Sequence, residues 1–354
     1  MRSIKLTRQT WLALTAAVVF VVLALLIAVL PVPYVVYSPG TAYDVLADAD
    51  ADAPIVVVEG IPTHEVNGKL HMTTVAVTRP TARTSLPEAM LAFWLPARDA
   101  LPRSAVYDPA KTGDEIRAEE RLMMDTSQQD AIVAALREAD VPVEELPMIS
   151  VVIASGPSNG RLFPGDLILQ VEGQPVRTPE EVRERLRDKE VGTSLRITVS
   201  REGRVVNADV TPMENPHEPG GAAIGVEVGV GYRFDPTVNF GVSHEIGGPS
   251  AGLVFALAIY EQITPEDVLQ GRSVAATGQI GPDGRVGRIG GLHEKIAGAE
   301  REDVSVFLVP APNCPDLQRL RTDLELIRVA TLHDAVEGLA ALGDPARSAE
   351  VPRC

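Results

Sequence analysis

From Trp11 to Leu30 the chain runs without a single charged residue, and nearly every side chain in that run is apolar. As a helix this stretch is about 30 Å long, the thickness of a bilayer's hydrocarbon core. Arg2, Lys5 and Arg8 precede it, and the first charge after it is Asp44. The positive-inside rule then places the N-terminus in the cytoplasm and everything beyond Leu30 outside. A cleaved signal peptide has a shorter apolar region and a small-residue cleavage site. Here the run ends in Leu30-Pro31-Val32-Pro33, which favours an uncleaved anchor.

The remaining length suffices for two or three domains. Net charge is −16, from 48 acidic against 32 basic residues, and no basic stripe stands out. Such a surface repels phosphate backbones, so no nucleic-acid partner is expected. Cys314 and Cys354 form no C-x-x-C pair, and no His-Glu-x-x-His run occurs, so neither metal nor cofactor is expected. An oxidising exterior allows a Cys314–Cys354 disulfide, with two free thiols the equal alternative. The acidic cluster Asp44 to Asp52 reads as a solvated loop, and Pro31 to Gly40 as an extended stalk.

Strand-like runs at Ile55–Val58 and Leu70–Val77 precede a helical region over 86 to 140, broken at Pro96, Pro102 and Pro109. Whether those strands belong to the C-terminal fold or to a separate layer is left open by pattern alone. Between Met148 and Pro212 the pattern turns to short strands around one helix, with Thr178 as N-cap, Pro179 at the first helical position and Glu181 three residues after the cap. The stretch Gly165-Asp166-Leu167-Ile168-Leu169-Gln170-Val171-Glu172-Gly173-Gln174-Pro175-Val176 closely resembles the bacterial form of the PDZ domain. That resemblance implies a small β-sandwich or partial barrel that binds extended peptides, or alternatively a packing spacer. It also implies a peptide-clasping loop ahead of the Ile149 strand, near Leu146 and Pro147.

The chemistry lies further on. Gly247-Gly248-Pro249-Ser250-Ala251-Gly252 is a turn, and Leu253 to Tyr260 reads as a helix apolar on every face, hence buried. A serine opening such a helix sits beside unpaired backbone N–H groups that can hold an oxyanion. A plain helix cap explains the same serine equally well. Then come Ala276-Thr277-Gly278-Gln279-Ile280 and Gly290-Gly291-Leu292-His293-Glu294-Lys295. A lysine is usually solvated; in a dry pocket it loses its proton and can serve as a base to a serine.

These three segments, in this order, resemble the Lon peptidase domain over about Phe240 to Pro310. With the anchor and the PDZ stretch, the chain resembles bacterial membrane-anchored, PDZ-containing Lon-like serine peptidases. The resemblance implies Ser250 as nucleophile and Lys295 as base, with Thr277, Gly248 and Ala251 in support. It further implies unfolded or extended polypeptide substrates and assembly into a homo-oligomeric ring. Two departures stand out. Gly247 occupies the position before Gly-Pro-Ser where Lon enzymes commonly carry an acid, with Glu245 the nearest upstream. No Gly-x-x-x-x-Gly-Lys-Ser/Thr loop occurs, so the activity implied is ATP-independent within this chain.

The expected architecture is α+β: a tail over 1–9, a transmembrane helix over 10–30, and a stalk with an α/β region over 31–147. A PDZ domain over 148–215, a Lon-like peptidase domain over 216–345 and a tail over 346–354 follow. Two rival functions stand beside this one. Gly248-Pro249-Ser250-Ala251-Gly252 fits an α/β-hydrolase esterase elbow, with His293 or His333 as base and Asp316 or Asp323 available. A PDZ scaffold or chaperone with a vestigial peptidase domain is the other.

Overall fold

The computed structural model describes residues 7–47, 54–187, 189–215, 221–243, 246–318 and 320–354. Arg2, Lys5, Asp48 to Asp52 and Glu245 lie outside them. The chain divides into two compact units, one formed by Met1–Ala139 with Thr237–Cys354, the other by Asp140–Pro236.

In the first unit, Arg8–Val29 is a helix with no buried residue. The Thr7 hydroxyl accepts from the Thr10 amide at its start, and Leu30, extended ahead of Pro31, ends it. Pro31-Val32 then pairs with Thr84-Ser85, and Tyr34–Asp44 enters a six-stranded sheet. The stretch expected to be a stalk is therefore part of the sheet, and Val35 and Val36 are core residues. Asp44, expected in a solvated loop, ends that strand. The run is extended because it is rich in Pro, Val and Tyr, but it is extended inside a sheet.

The sheet order is Glu325–Val329, Val306–Pro310, Ser273–Ala276, Lys69–Val77, Tyr34–Asp44, Asp99–Pro102. The first four strands are mutually parallel and the last two join antiparallel. The early strand Lys69–Val77 thus pairs with Ser273–Ala276 at its centre, Lys69 opposite Ser273. Of the two early runs, Leu70–Val77 thus shares a sheet with Ser273–Ala276, whereas Val56–Glu59 pairs with Thr237–Phe240 in a separate two-stranded sheet.

Two helices pack together beside the sheet, Gly113–Glu138 and Gly252–Ile263. The first starts at a capping box in which the Thr112 hydroxyl accepts from the Glu115 amide and the Glu115 carboxylate accepts from the Thr112 amide. The second is buried all round, as its unbroken apolar sequence demands. Leu253, Phe255, Leu257 and Ile259 are among its fully buried side chains, each contributing roughly 1.5–3 kcal/mol through burial. Cys314 and Cys354 are joined by a disulfide that closes a loop across 40 residues of sequence.

The second unit is a sheet in the order Arg204–Val210, Leu195–Arg201, Leu167–Val171, Glu144–Val152, Val226–Arg233, with the helix Pro179–Arg187. Ile149, Ile168, Val182, Ile197 and Val199 form its core. Thr178 caps the helix as its sequence indicates, its hydroxyl accepting from the Glu181 amide. Asp166, at 1% exposure, receives both Arg201 Nε and Nη2 at 2.7 and 2.8 Å and the Phe163 amide at 2.9 Å. The Arg201 guanidinium also stacks 4.4 Å over the Phe163 ring. Leu146 and Pro147 are not a clasping loop. They lie within Glu144–Val152, opposite Gly231 and Val230, in a strand paired on both sides.

Candidate active site

Ser250 sits in the turn just ahead of Gly252–Ile263, with Ala251 as the N-cap. That turn is tied to the long helix Gly113–Glu138 twice. The Gly248 amide donates to the Glu120 carbonyl at 3.1 Å, and the Ser127 hydroxyl donates to the Pro249 carbonyl at 3.0 Å. Gly248 itself adopts φ +90°, a conformation that glycine takes without steric cost. Gly252 is required for a different reason: a Cβ there would stand 2.7 Å from the Ser127 hydroxyl and 2.8 Å from Ile280.

The strand Ser273–Ala276 ends at the site, and Thr277 is the first residue beyond it. The Thr277 hydroxyl donates to the Ser250 carbonyl at 3.1 Å, and the Gly278 amide donates to the same carbonyl at 2.9 Å. The Ser250 backbone is therefore fixed from the centre of the sheet. In return, the Leu253 amide donates to the Gly278 carbonyl at 3.1 Å. One of the helix's opening amides is thus spent on structure rather than left free.

Lys295 comes from the short helix Leu292–Ala299, which begins after Gly291 in the left-handed region. It lies one turn in, on the inward face, at 3% exposure. Its Nζ stands 2.7 Å from Ser250 Oγ and 2.8 Å from Thr277 Oγ1. Among the described residues it has no ion pair, and burial alone pulls its pKa down to about 7. An ammonium in this place would be desolvated without a counter-charge, so the neutral amine is populated near neutral pH. That form can accept the Ser250 hydroxyl proton while donating to Thr277.

The preceding residue, Glu294, is fully buried, and neither carboxylate oxygen has a hydrogen-bond partner among the described residues. Desolvation holds its carboxyl above the usual range.

Residues 243–341 match the profile of the Lon protease (S16) C-terminal proteolytic domain. The chain carries a Lon-type proteolytic domain. A PDZ-domain profile matches residues 123–211. Similar proteins include a Lon protease of Lachnoclostridium phytofermentans, 39% identical over 25% of this chain and 11% of its own length. Lon protease 2 of Herpetosiphon aurantiacus is 37% identical over 28% and 12%, and a Lon protease of Mycolicibacterium smegmatis 35% over 29% and 13%. The chain thus spans only about an eighth of the length of these relatives. The crystal structure of the PDZ domain of the SdrC-like protein from Listeria monocytogenes covers 23% of this chain and 85% of its own, at 22% identity and a TM-score of 0.22.

Within the Lon-type domain the structure brings Ser250, Thr277 and Lys295 together and places Gly248 and Ala251 in the turn that presents the serine. Neither histidine of the esterase reading hydrogen-bonds Ser250. His293 Nε2 is 2.9 Å from the Asp316 carbonyl, and the exposed His333 pairs with Glu138 at 2.8 Å. The glycine at 247 also has a steric cause. A Cβ there would stand 2.9 Å from the Glu120 Cβ, so an acid at this position would not fit against the long helix.

Ser127 is the contributor that the sequence reading passed over. Its signal is a lone hydroxyl preceding, at helical spacing, the buried positions Ala131, Ala134 and Ala135. A small polar residue on a buried helix face needs a partner, and here the partner is the loop that carries Ser250.

Proposed function

We propose that the protein is a membrane-anchored serine endopeptidase whose Ser250 is activated by Lys295, without ATP-driven unfolding by this chain. One observation carries this reading: a dry, unpaired lysine amine 2.7 Å from the Ser250 hydroxyl. Neutral Lys295 takes the hydroxyl proton as Ser250 attacks a peptide carbonyl. The resulting oxyanion is held by backbone amides of the turn between Ser250 and Gly252, since the Gly248 and Leu253 amides are already committed. Lys295 then passes its proton to the leaving amine, and water releases the acyl group with the lysine again as base. Thr277 is a positioning residue that fixes the Nζ and the Ser250 backbone together.

The boundaries proposed from the sequence place a peptide-binding PDZ domain over 148–215. Its docking edge is Val226–Arg233, just beyond that range, because among the described residues this strand ends its sheet and pairs there with Glu144–Val152. An extended polypeptide can add there as a further strand. The N-terminal helix supports an anchor with the remaining chain outside the membrane, and the Cys314–Cys354 bridge suits an oxidising exterior. A ring of identical copies is supported by the Lon resemblance alone.

Because Tyr34–Asp44 is an interior strand, the test uses the full chain in detergent. Casein cleavage is followed without ATP for the parent, Ser250→Ala and Lys295→Met. Cleavage by the parent alone supports the proposal. Equal cleavage by parent and Lys295→Met overturns the lysine's role, and inactivity of all three on casein and on short unstructured peptides returns the protein to the scaffold reading.

A further inference from the structure

The helix Leu86–Trp94 is built inside out. Its only buried residues are Ala89 and Ala92, while Met90, Leu91, Phe93 and Trp94 stand outward. Phe93 is 77% exposed and Trp94 70%. At 100° per residue, Phe93, Met90, Trp94, Pro87 and Leu91 fall on one continuous arc, and the only charged residue of the helix, Glu88, lies beyond it. A helix in water buries its large side chains and exposes its small ones. This one does the reverse, so its outer face needs a cover.

What that cover is follows from where the helix begins. The Leu86 amide donates to the carbonyl of Leu30, the residue that closes the long apolar helix, at 3.0 Å. Pro31 and Val32 pair with Ser85 and Thr84, and the Thr84 hydroxyl donates to the Tyr34 carbonyl at 2.7 Å. The inside-out helix therefore starts at the level where the apolar helix ends and lies against it. Whatever surrounds Leu30 also surrounds this face. Phe93, Met90 and Trp94 additionally wall a groove of about 490 Å³ that reaches back to Val32 and Tyr34. In a chain of net charge −16, the exposed arginines Arg79, Arg83 and Arg98 bracket the helix in sequence. Apolar aromatics flanked by cations suit the boundary between acyl chains and anionic headgroups.

We infer that Leu86–Trp94 is a second, interfacial membrane contact, lying in the bilayer surface with Met90, Phe93 and Trp94 among the upper acyl chains. The inference rests on the anchor reading of Arg8–Val29. It makes the attachment two-point, so that the Lon-type domain is oriented on the membrane and not merely tethered to it.

The chain has two tryptophans, Trp11 in the apolar helix and Trp94 in the interfacial one, which allows both readings to be tested separately. The full chain is reconstituted into vesicles of phosphatidylcholine and phosphatidylglycerol, with or without bromine atoms high on the acyl chains. Trp11→Phe leaves Trp94 as the only emitter, and Trp94→Phe leaves Trp11. The expected result is that Trp94 loses most of its emission to the brominated lipid and is shielded from aqueous acrylamide. If acrylamide quenches Trp94 and bromolipid does not, while Trp11 responds to bromolipid, the anchor reading stands and the inference is overturned. If Trp94 is shielded from both quenchers, protein covers it, a second copy included, and the inference is again overturned. If neither tryptophan responds to bromolipid, the anchor reading falls and this inference with it.

Discussion

The two compact units each bury an ionisable side chain beneath a sheet, and they treat it in opposite ways. In the Asp140–Pro236 unit, Asp166 receives a two-pronged guanidinium and a backbone amide, and the bond raises Arg201 above its usual range. In the Lon-type domain, Lys295 is as deeply buried but has hydroxyl partners and no counter-charge among the described residues, and its pKa falls to about 7. A buried charge with a partner is a fastener; a buried charge without one becomes a base. Depth of burial is shared, so the difference lies in the group itself and in what surrounds it.

Four changes break or sharpen that contrast. The largest effect is expected from Lys295. Lys295→Met should cut kcat/KM for an unstructured peptide by about 10³-fold or more, since positioned base catalysis alone is worth roughly 10²–10⁴. Lys295→Arg should do no better, because a guanidinium cannot give up its proton near neutral pH. An arginine variant that retains the parent's rate would show that the residue acts as a cation.

Next is Arg201→Met, which leaves Asp166 buried without its cation. Stability of the unit in urea should fall by about 3 kcal/mol, while cleavage of a short peptide that bypasses this unit should hardly change. A third measurement is the pH profile. With a base of pKa about 7, kcat/KM should fall about tenfold per unit below that value and level off above it. The linkage runs the same way. The folded pKa lies below the unfolded value of 10.5, so the unfolded chain binds the extra proton between about 7 and 10.5. Stability from this residue therefore rises with pH across that window, by up to roughly 1.4 kcal/mol per unit, and Lys295→Met should remove the slope. The smallest effect belongs to Thr277→Val. It keeps the shape of the side chain but removes the hydroxyl shared by Lys295 and the Ser250 carbonyl, and should lower kcat by about tenfold with KM little changed.

How much of this is readable without coordinates depends on how local each signal is. Ser250 and Lys295 stand out because their glycine-rich turns and buried helices are continuous in sequence. That the lysine turns inward is foreshadowed only by the chemistry it would serve. The strand Lys69–Val77 cannot be placed from pattern, since its partner Ser273–Ala276 lies some 200 residues away and parallel pairing leaves no turn to mark it. Pro31 to Gly40 misleads for a related reason: proline and valine dictate an extended backbone but not whether water or a neighbouring strand satisfies it. Near Leu146 and Pro147 a clasping loop is expected from the resemblance, but these residues pair with Val226–Arg233, a strand about 80 residues away that no local signal links to them.

The short passage from Leu30 to Tyr34 has a mechanical meaning. Fully stretched, four residues reach about 14 Å, and two of those here are already paired with Thr84-Ser85. There is no slack between the apolar helix and the central sheet. Tension on that helix is borne at once, in shear, by the hydrogen bonds between Tyr34–Asp44 and Lys69–Val77, the latter paired with the strand Ser273–Ala276 that leads into Thr277. If Arg8–Val29 is the anchor proposed above, force that would drag it out loads the fold that holds Ser250 in place.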